Sequence, residues 1–351
     1  MQLECWNIQG AGFHFGRHGL GQEQTMTAMP SDSLFAALAA RLARAKGRQA
    51  VDEFCQPFVE KEPPERIYPF VLSSTFPFAG QARFFPMPRR ARGGEAQGVE
   101  AKRLKRVEFV SEGVFRALLT GISLAQLYDE KYTLQDGKLL ANAGDFERLP
   151  DGFRAPGARV WALEQRPRVT LDRASSTSNL FHIGQVHFME GCGLWFGVRW
   201  MNGNPQQKAD FKAMLHELAA AGFGAERTTG LGIAEARESG TLDLPDATGA
   251  WVTLSRYLPR EDETAALAHP GSAYAIKAVG GWLDSPRDMG QRRRPVNLIE
   301  AGSVIGSKPA REVPGRVEDV RPSYLTHPDP LGHPVYRCGL ALAVGLQGGA
   351  A

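Results

Sequence analysis

The run from Asn204 to Arg237 constrains the chain most: a helix with a readable start and stop, a glycine-rich loop, then a strand. Asn204 is a good N-cap, and Pro205 suits the first helical position, where its missing amide hydrogen costs nothing. Phe211, Met214, Leu215 and Leu218 recur at i, i+3, i+4 and i+7 and make one apolar face. Gly222 stands where a left-handed residue ends a helix. The loop GFGAERTTGLG (222–232) follows, then the strand IAEAR (233–237). Four glycines, Gly222, Gly224, Gly230 and Gly232, let the loop take positive φ and let another chain come close. Exposed amides there form a nest for phosphate oxygens, with hydroxyls from Thr228 and Thr229 and the guanidinium of Arg227 beside them. A long helix cap followed by a turn explains the same residues, and the sequence alone leaves both readings open. The loop lacks the GxxxxGK[ST] pattern, and it precedes a strand instead of opening a helix, so neither a P-loop nor a Rossmann fingerprint is present.

Residues 2–15 alternate and read as a first strand. Ser31 caps a helix whose face is Leu34, Phe35, Leu38 and Leu42, with Gly47 as a stop. Residues 62–106 are rich in Pro, Phe and Arg and read as a long irregular stretch, with a short helix expected around 112–128. Residues 158–171 and 184–200 carry period-two features and flank a polar segment, which predicts a hairpin or meander. The order β-α-(insertion)-β-β-α-β is the split βαβ, ferredoxin-like or RRM-like pattern. Strand-like runs at 251–258 and 335–346 restart it. The expected fold class is therefore α+β: two ferredoxin-like domains in tandem with long insertions, the first over 1–240 with its insertion at about 62–150, the second a degenerate copy over 241–351.

With 351 residues, two domains of ordinary size are expected. A net charge of +3 does not by itself imply nucleic acid, but the distribution is uneven. Arg83, Arg89, Arg90, Arg92, Lys102, Arg103, Lys105 and Arg106 face only Glu95 and Glu100 in the same stretch. Phe84 and Phe85 are interleaved there, and aromatic rings among cations can stack on exposed bases. A solvated surface loop is the alternative. Cys5, Cys55, Cys192 and Cys338 form no CxxC pair, so neither a disulfide framework nor a zinc site is expected and a reducing cytoplasm fits. No signal peptide and no membrane span are expected. His14 and His18 lie four apart without a third ligand nearby in sequence. No GxSxG, HExxH or DxD is present, so no catalytic residue, metal or cofactor is expected.

The loop GFGAERTTGLG resembles the G-rich loop of the RAMP superfamily of CRISPR proteins. Further segments narrow the resemblance: Phe13-His14-Phe15-Gly16, Ser31-Asp32-Ser33-Leu34-Phe35, Ser74-Thr75-Phe76-Pro77-Phe78, Leu171-Asp172-Arg173, Gly280-Gly281-Trp282, Glu300-Ala301-Gly302-Ser303-Val304 and His333-Pro334-Val335-Tyr336-Arg337. In this order they are similar to the Cas5-group RAMP subunit of type III-A CRISPR–Csm effector complexes, over essentially the whole chain. The resemblance implies a subunit without nuclease activity that holds the crRNA 5′ handle. It implies contacts with the large polymerase-domain subunit, with a backbone RAMP subunit, and through a thumb (candidate residues 76–110) with target RNA at the handle-proximal end. The loop departs from the family pattern at Ala225-Glu226, and Glu226 beside a phosphate is unfavourable, so the Arg227–Gly232 half is expected to face RNA.

On this reading RNA is contacted by Gly222, Gly224, Arg227, Thr228, Thr229, Gly230 and Gly232 of the loop, by His14, and by Arg83, Arg89, Arg90, Lys102 and Arg103 of the basic stretch. His14 has packing as its alternative role. Arg173 either reaches RNA or pairs with an acid such as Asp172. The rival readings are a ferredoxin-like endoribonuclease that processes crRNA with His14 or His18 as general base, the equivalent subunit of another type III subtype, and an unrelated nucleotide-binding module.

Overall fold

The computed structural model describes residues 1–16, 24–59, 68–92, 98–171, 178–202, 204–283, 291–323 and 331–347. In chain order its main elements are β1 (Gln2–Gly10), α1 (Ser31–Val59), β2 (Phe70–Leu72), β3 (Phe76–Ala79), β4 (Ala82–Pro86), β5 (Phe109–Ser111), β6 (Trp161–Leu171), β7 (Ser178–Phe188), β8 (Cys192–Trp200), α2 (Pro205–Ala221) and β9 (Ala234–Asp243). A nine-stranded mixed sheet runs β9-β1-β8-β3-β4-β5 and continues into the short strands Leu139–Leu140 and Thr133–Leu134, while β2 pairs with the far end of β8. β1 lies antiparallel between β8 and β9, so the first strand of the chain is central in its half of the sheet. Its apolar side chains Leu3, Cys5, Trp6 and Ile8 are buried accordingly.

α2 forms between its two end signals, whereas α1 starts at Ser31 and runs past its expected stop. Asn204 Oδ1 accepts the amides of Gln206 and Gln207 at 3.0 and 3.3 Å, satisfying two donors of the first turn of α2. Gly222 ends α2 with φ +101° and donates to Leu218 O. In α1, Gly47 adopts φ +80°, which breaks the helix there, but the chain resumes a helical course to Val59. Packing decides this: Cys55 and Phe58 of the second segment are buried against the rest of the core, and Phe58 packs edge-on to Phe35 and Phe70.

The expectation of an irregular insertion from 62 to 106 is corrected. Phe76, Phe78, Phe84 and Phe85 are buried in β3 and β4, and Phe85 stacks on Phe115 with ring centroids 4.5 Å apart. Rings packed in this way offer no stacking surface to RNA, and the first part of the candidate thumb at 76–110 is sheet interior. The projecting element lies elsewhere. β6 and β7 pair over eleven residues each, from Trp161↔Phe188 to Leu171↔Ser178. At roughly 3.3 Å per residue this arm is about 35 Å long. Its inner half is buried through Trp161, Ile183, Gln185 and Val186, while Val169, Leu171 and Leu180 towards its tip are exposed.

After β9 the chain forms a three-stranded sheet of Val304–Ile305, Trp251–Thr253 and Ala343–Gly345, with two-stranded ribbons beside it. Among the described residues of this half, the helical piece is the 3-10 stretch Glu261–Ala268. Val252, Leu254, Val304, Leu340, Leu342 and Val344 join the same core cluster as the large sheet, so the two halves share one interior. Polar contacts register them. Ser74 N donates to Leu254 O at 2.8 Å, Arg256 N to Ser31 Oγ at 2.8 Å, and Arg89 pairs with Glu300 at 3.1 Å. At the centre, the fully buried Asp32 carboxylate receives Arg256 Nη1 at 3.1 Å and Arg337 Nη1 at 3.3 Å. No helix among the described residues is long and apolar enough to cross a membrane.

Replacing Asp32 by Ala leaves two guanidinium groups buried without a counter-charge. We expect a loss of about 3–5 kcal/mol in unfolding free energy, the usual cost of breaking a buried ion pair from one side. Chemical denaturation measures it, and a loss below about 1 kcal/mol would show that the cluster does not hold the halves together.

Candidate nucleic-acid interface

Three motifs that are far apart in sequence meet at one place. The segment Gly12–Phe15, which follows β1, lies between the G-rich loop and the hairpin arm. On one side Phe13 and Val186 of β7 exchange both backbone hydrogen bonds at 2.9 Å. On the other, Ala225 N donates to His14 O at 3.0 Å and Gly232 N to Gly12 O at 2.8 Å. Phe223 N donates to Gly232 O at 2.9 Å and closes the loop on itself, with the Phe223 ring buried beneath. Phe13 also stacks on Phe15 at 5.4 Å, which stiffens the segment the loop rests on.

His14 has 3% of its surface exposed, and its Nδ1 lies 2.5 Å from Gly184 O of the hairpin. The expected stacking contact with RNA is thereby corrected. The ring ties the arm to the segment beneath the loop, which is the packing alternative. A base catalyst also needs an accessible nitrogen, and this ring is buried. His18 lies outside the described residues.

The glycines divide into two kinds. A Cβ on Gly224 would lie 2.3 Å from His14 O, one on Gly232 2.1 Å from Phe223 O, and one on Gly222 3.1 Å from Leu231 O. These three glycines exist for close backbone approach inside the protein and sit at the root of the loop, so they do not line its outer surface. At Gly230 a Cβ would meet open space, and its φ of +85° alone accounts for the glycine. Between them, Glu226 takes a left-handed φ of +58° and Arg227–Thr229 form a single 3-10 turn. Thr229 Oγ1 donates to Glu226 O at 2.7 Å, so its proton is already used within the turn. Thr228, Thr229 and Gly230 are exposed, and the Arg227 stem lies beside Gly222. The outward half of the loop is thus the Arg227–Gly230 turn, a narrower surface than four glycines suggest.

The basic stretch does not act as one patch. The Arg83 guanidinium bonds Ser239 O and lies 5.8 Å over the Trp195 ring, and Arg89 is bound to Glu300; both are structural. Arg90 is exposed. Lys102, Arg103, Lys105 and Arg106 are exposed on the helix Gly98–Arg106, where Arg103 pairs with Glu130 at 2.8 Å. Arg173 and its neighbour Asp172 lie outside the described residues. Sequence reading missed the arm's own surface. On one face Val169 and Leu180 pair directly, both exposed, with Leu171 71% exposed beyond them. The other face carries Arg168 opposite Phe181, and Arg166. The alternation of Arg166 and Arg168 was the available signal, since residues two apart share a strand face.

Burial raises the thiols of Cys55, Cys192 and Cys338 to about 12 and that of Cys5 to about 11, so none is a thiolate at neutral pH. Among the described residues no cluster of His, Cys, Asp or Glu is placed to hold a metal ion.

Residues 246–346 match the family model of the CRISPR Csm4 C-terminal domain. The chain is 26% identical over 323 residues to the CRISPR system Cms protein Csm4 of Thermococcus onnurineus (strain NA1), covering 90% of this chain and 91% of that one. Among solved structures it resembles a chain of the Csm3–Csm4 subcomplex of the type III-A CRISPR–Cas interference complex (TM-score 0.66, 15% identity, 98% and 99% of the two chains). It also resembles a chain of the Csm1–Csm4 cassette in complex with cA4 (TM-score 0.57, 18% identity, all of both chains). The chain is thus similar to Csm4 proteins of CRISPR systems, through residues 246–346 in the family model and over most of its length in the relative.

Gly232→Ala and Gly224→Ala are expected to lower the melting temperature by several degrees, because each places a methyl group within 2.5 Å of a backbone oxygen. Gly230→Ala, which meets only backbone strain, should cost about 1–2 kcal/mol or less. Equal losses at all three positions, read by thermal unfolding, would contradict this division.

Proposed function

We propose that the chain is a non-catalytic, crRNA-binding subunit of a type III-A CRISPR effector complex. In this role it holds the crRNA 5′ handle and links a large Csm1-type subunit to a Csm3-type backbone subunit. The observation that carries the RNA-binding part is the convergence of the G-rich loop, the Gly12–Phe15 segment and the hairpin arm through main-chain hydrogen bonds. The partners follow from its relatives, since solved structures of that family pair Csm4 with Csm3 and with Csm1.

In detail, the Arg227–Gly230 turn takes handle phosphates, with Arg227 as a charged fork and Thr228 as a hydroxyl donor. Gly222, Gly224, Gly232 and His14 hold that turn in place. The β6–β7 arm takes over the role of the thumb: its length, its exposed tip of Val169, Leu171 and Leu180, and Arg166 suit contact with target RNA near the handle-proximal end. Arg90, Lys102, Lys105 and Arg106 add sequence-independent attraction to phosphate. The chain reads as two ferredoxin-like units, 1–240 and 241–351, the second degenerate.

The double variant Arg227→Ala, Thr228→Ala should bind handle-bearing RNA about tenfold more weakly, a loss of roughly 1.4 kcal/mol. Filter binding at fixed salt measures this, and unchanged affinity would refute the assignment of the turn. Changing Lys102, Lys105 and Arg106 to Glu should flatten the salt dependence by roughly 0.7 for each phosphate that is no longer neutralised. Repeat RNA incubated with the purified chain should be bound and remain intact. Specific cleavage would favour the endoribonuclease reading.

A further inference from the structure

The motif Gly280-Gly281-Trp282 has no part in the loop-and-arm interface. It begins one side of a ribbon in the C-terminal half, continuing from the strand Ile276–Val279; the other side is Gln291–Arg294, leading into Val296–Ile299. Trp282 pairs antiparallel with Arg292, and the Arg292 guanidinium carbon lies 4.5 Å from the centre of the indole ring. Arg293 fixes this register: its amide donates to Gly281 O at 3.0 Å and its Nη2 to Gly280 O at 2.5 Å. Gly281 permits this with φ +116°, and a Cβ there would come within 2.9 Å of Arg293 Nη2. The two glycines and the arginine run therefore serve one purpose, to hold a guanidinium over a tryptophan that is 60% exposed.

An indole with that exposure is costly to leave in water. Four of the other five tryptophans, Trp6, Trp161, Trp195 and Trp251, are buried. Among the described residues Arg292 has no carboxylate within salt-bridge distance, whereas Arg294, Arg316 and Arg321 absorb the nearby Glu318 and Asp319. The result is a flat π surface backed by a cation with no ionic partner among those residues. A purely apolar protein partner would strand that charge. An unpaired nucleobase stacks on the ring while its phosphate meets the guanidinium, and so satisfies both groups.

We infer that the Trp282–Arg292 pair is a second RNA contact, separate from the G-rich loop, which stacks one unpaired base of a single-stranded segment and neutralises its phosphate. The inference rests on the chain's being an RNA-binding subunit, and the experiment separates the two. The part of the intrinsic fluorescence that Trp282, the most exposed of the six tryptophans, contributes is isolated by comparison with Trp282→Phe. The protein is titrated with single-stranded RNA of about ten nucleotides, in one arm carrying the repeat-derived handle and in the other an unrelated sequence. The expected result is quenching in the unaltered protein, loss of that quenching in Trp282→Phe, and about tenfold weaker binding in Trp282→Ala. Quenching by the handle alone identifies the guide as the source of the base; quenching by both RNAs identifies any single strand, such as a target flank, and either outcome supports the contact. If the unaltered protein binds neither RNA, the RNA-binding function itself fails. If it binds and Trp282→Ala binds equally well, the contact is overturned, and loss of a co-expressed large subunit in that variant would identify the ribbon as a protein-docking surface instead.

Discussion

The whole architecture rests on a carboxylate that never sees water. Asp32 is in the first turn of α1, fully buried, and receives one guanidinium from Arg256 and one from Arg337. Desolvating a carboxylate costs several kcal/mol, and the charges of two arginines at hydrogen-bonding distance offset it. The α1 N-terminus is favourable for a negative charge as well. Both arginines come from residues after 250, so the first helix is tied to the C-terminal half at the same point where Ser31 and Ser74 bond its backbone. That clamp registers two halves whose apolar side chains already share one core.

The loop illustrates how a sequence motif and a site differ. Its glycine pattern suggests a phosphate cradle, yet Gly222, Gly224 and Gly232 are occupied with internal packing, and the Thr229 hydroxyl is satisfied by its own turn. They press the loop against Gly12 and His14 closely enough that the Arg227–Gly230 turn is held outward. A rigid turn with one guanidinium and a few donors loses less entropy on binding an anion than a flexible loop with more donors. Two strands of backbone hydrogen bonds then connect the turn to the arm, so the two surfaces have a defined spacing.

Much was legible from residue order. The N-cap Asn204, Pro205 and Gly222 gave the bounds of α2 almost to the residue, because capping is local chemistry. The strand after the loop appeared where expected and extends further, from Ala234 to Asp243, because pairing with β1 continues past a bulge. The failures have equally physical causes. Pro77 and Pro86 interrupt β3 and β4 and made buried strands look like loop, although Pro77 is accommodated opposite Leu194. The hairpin expected over 158–200 forms, and its second strand is separated from β8 by a turn in which Gly191 has φ +75°. The hairpin makes the arm, and β8 belongs to the centre of the sheet.

The sequence by itself determined the α+β order, the ends of α2, the resemblance to Csm4 proteins and the presence of a glycine-rich turn carrying Arg227 and Thr228, since each depends on residues close together in the chain. Only the tertiary structure decided which cations of the basic stretch face outward. Arg83 and Arg89 are engaged by Ser239 and Glu300, more than 150 residues away in sequence, whereas Lys102 and Lys105 remain exposed. It also decided that His14 packs under the loop and that the arm is β6–β7. These outcomes depend on desolvation and on partners supplied from across the fold, and no local pattern of residues contains them.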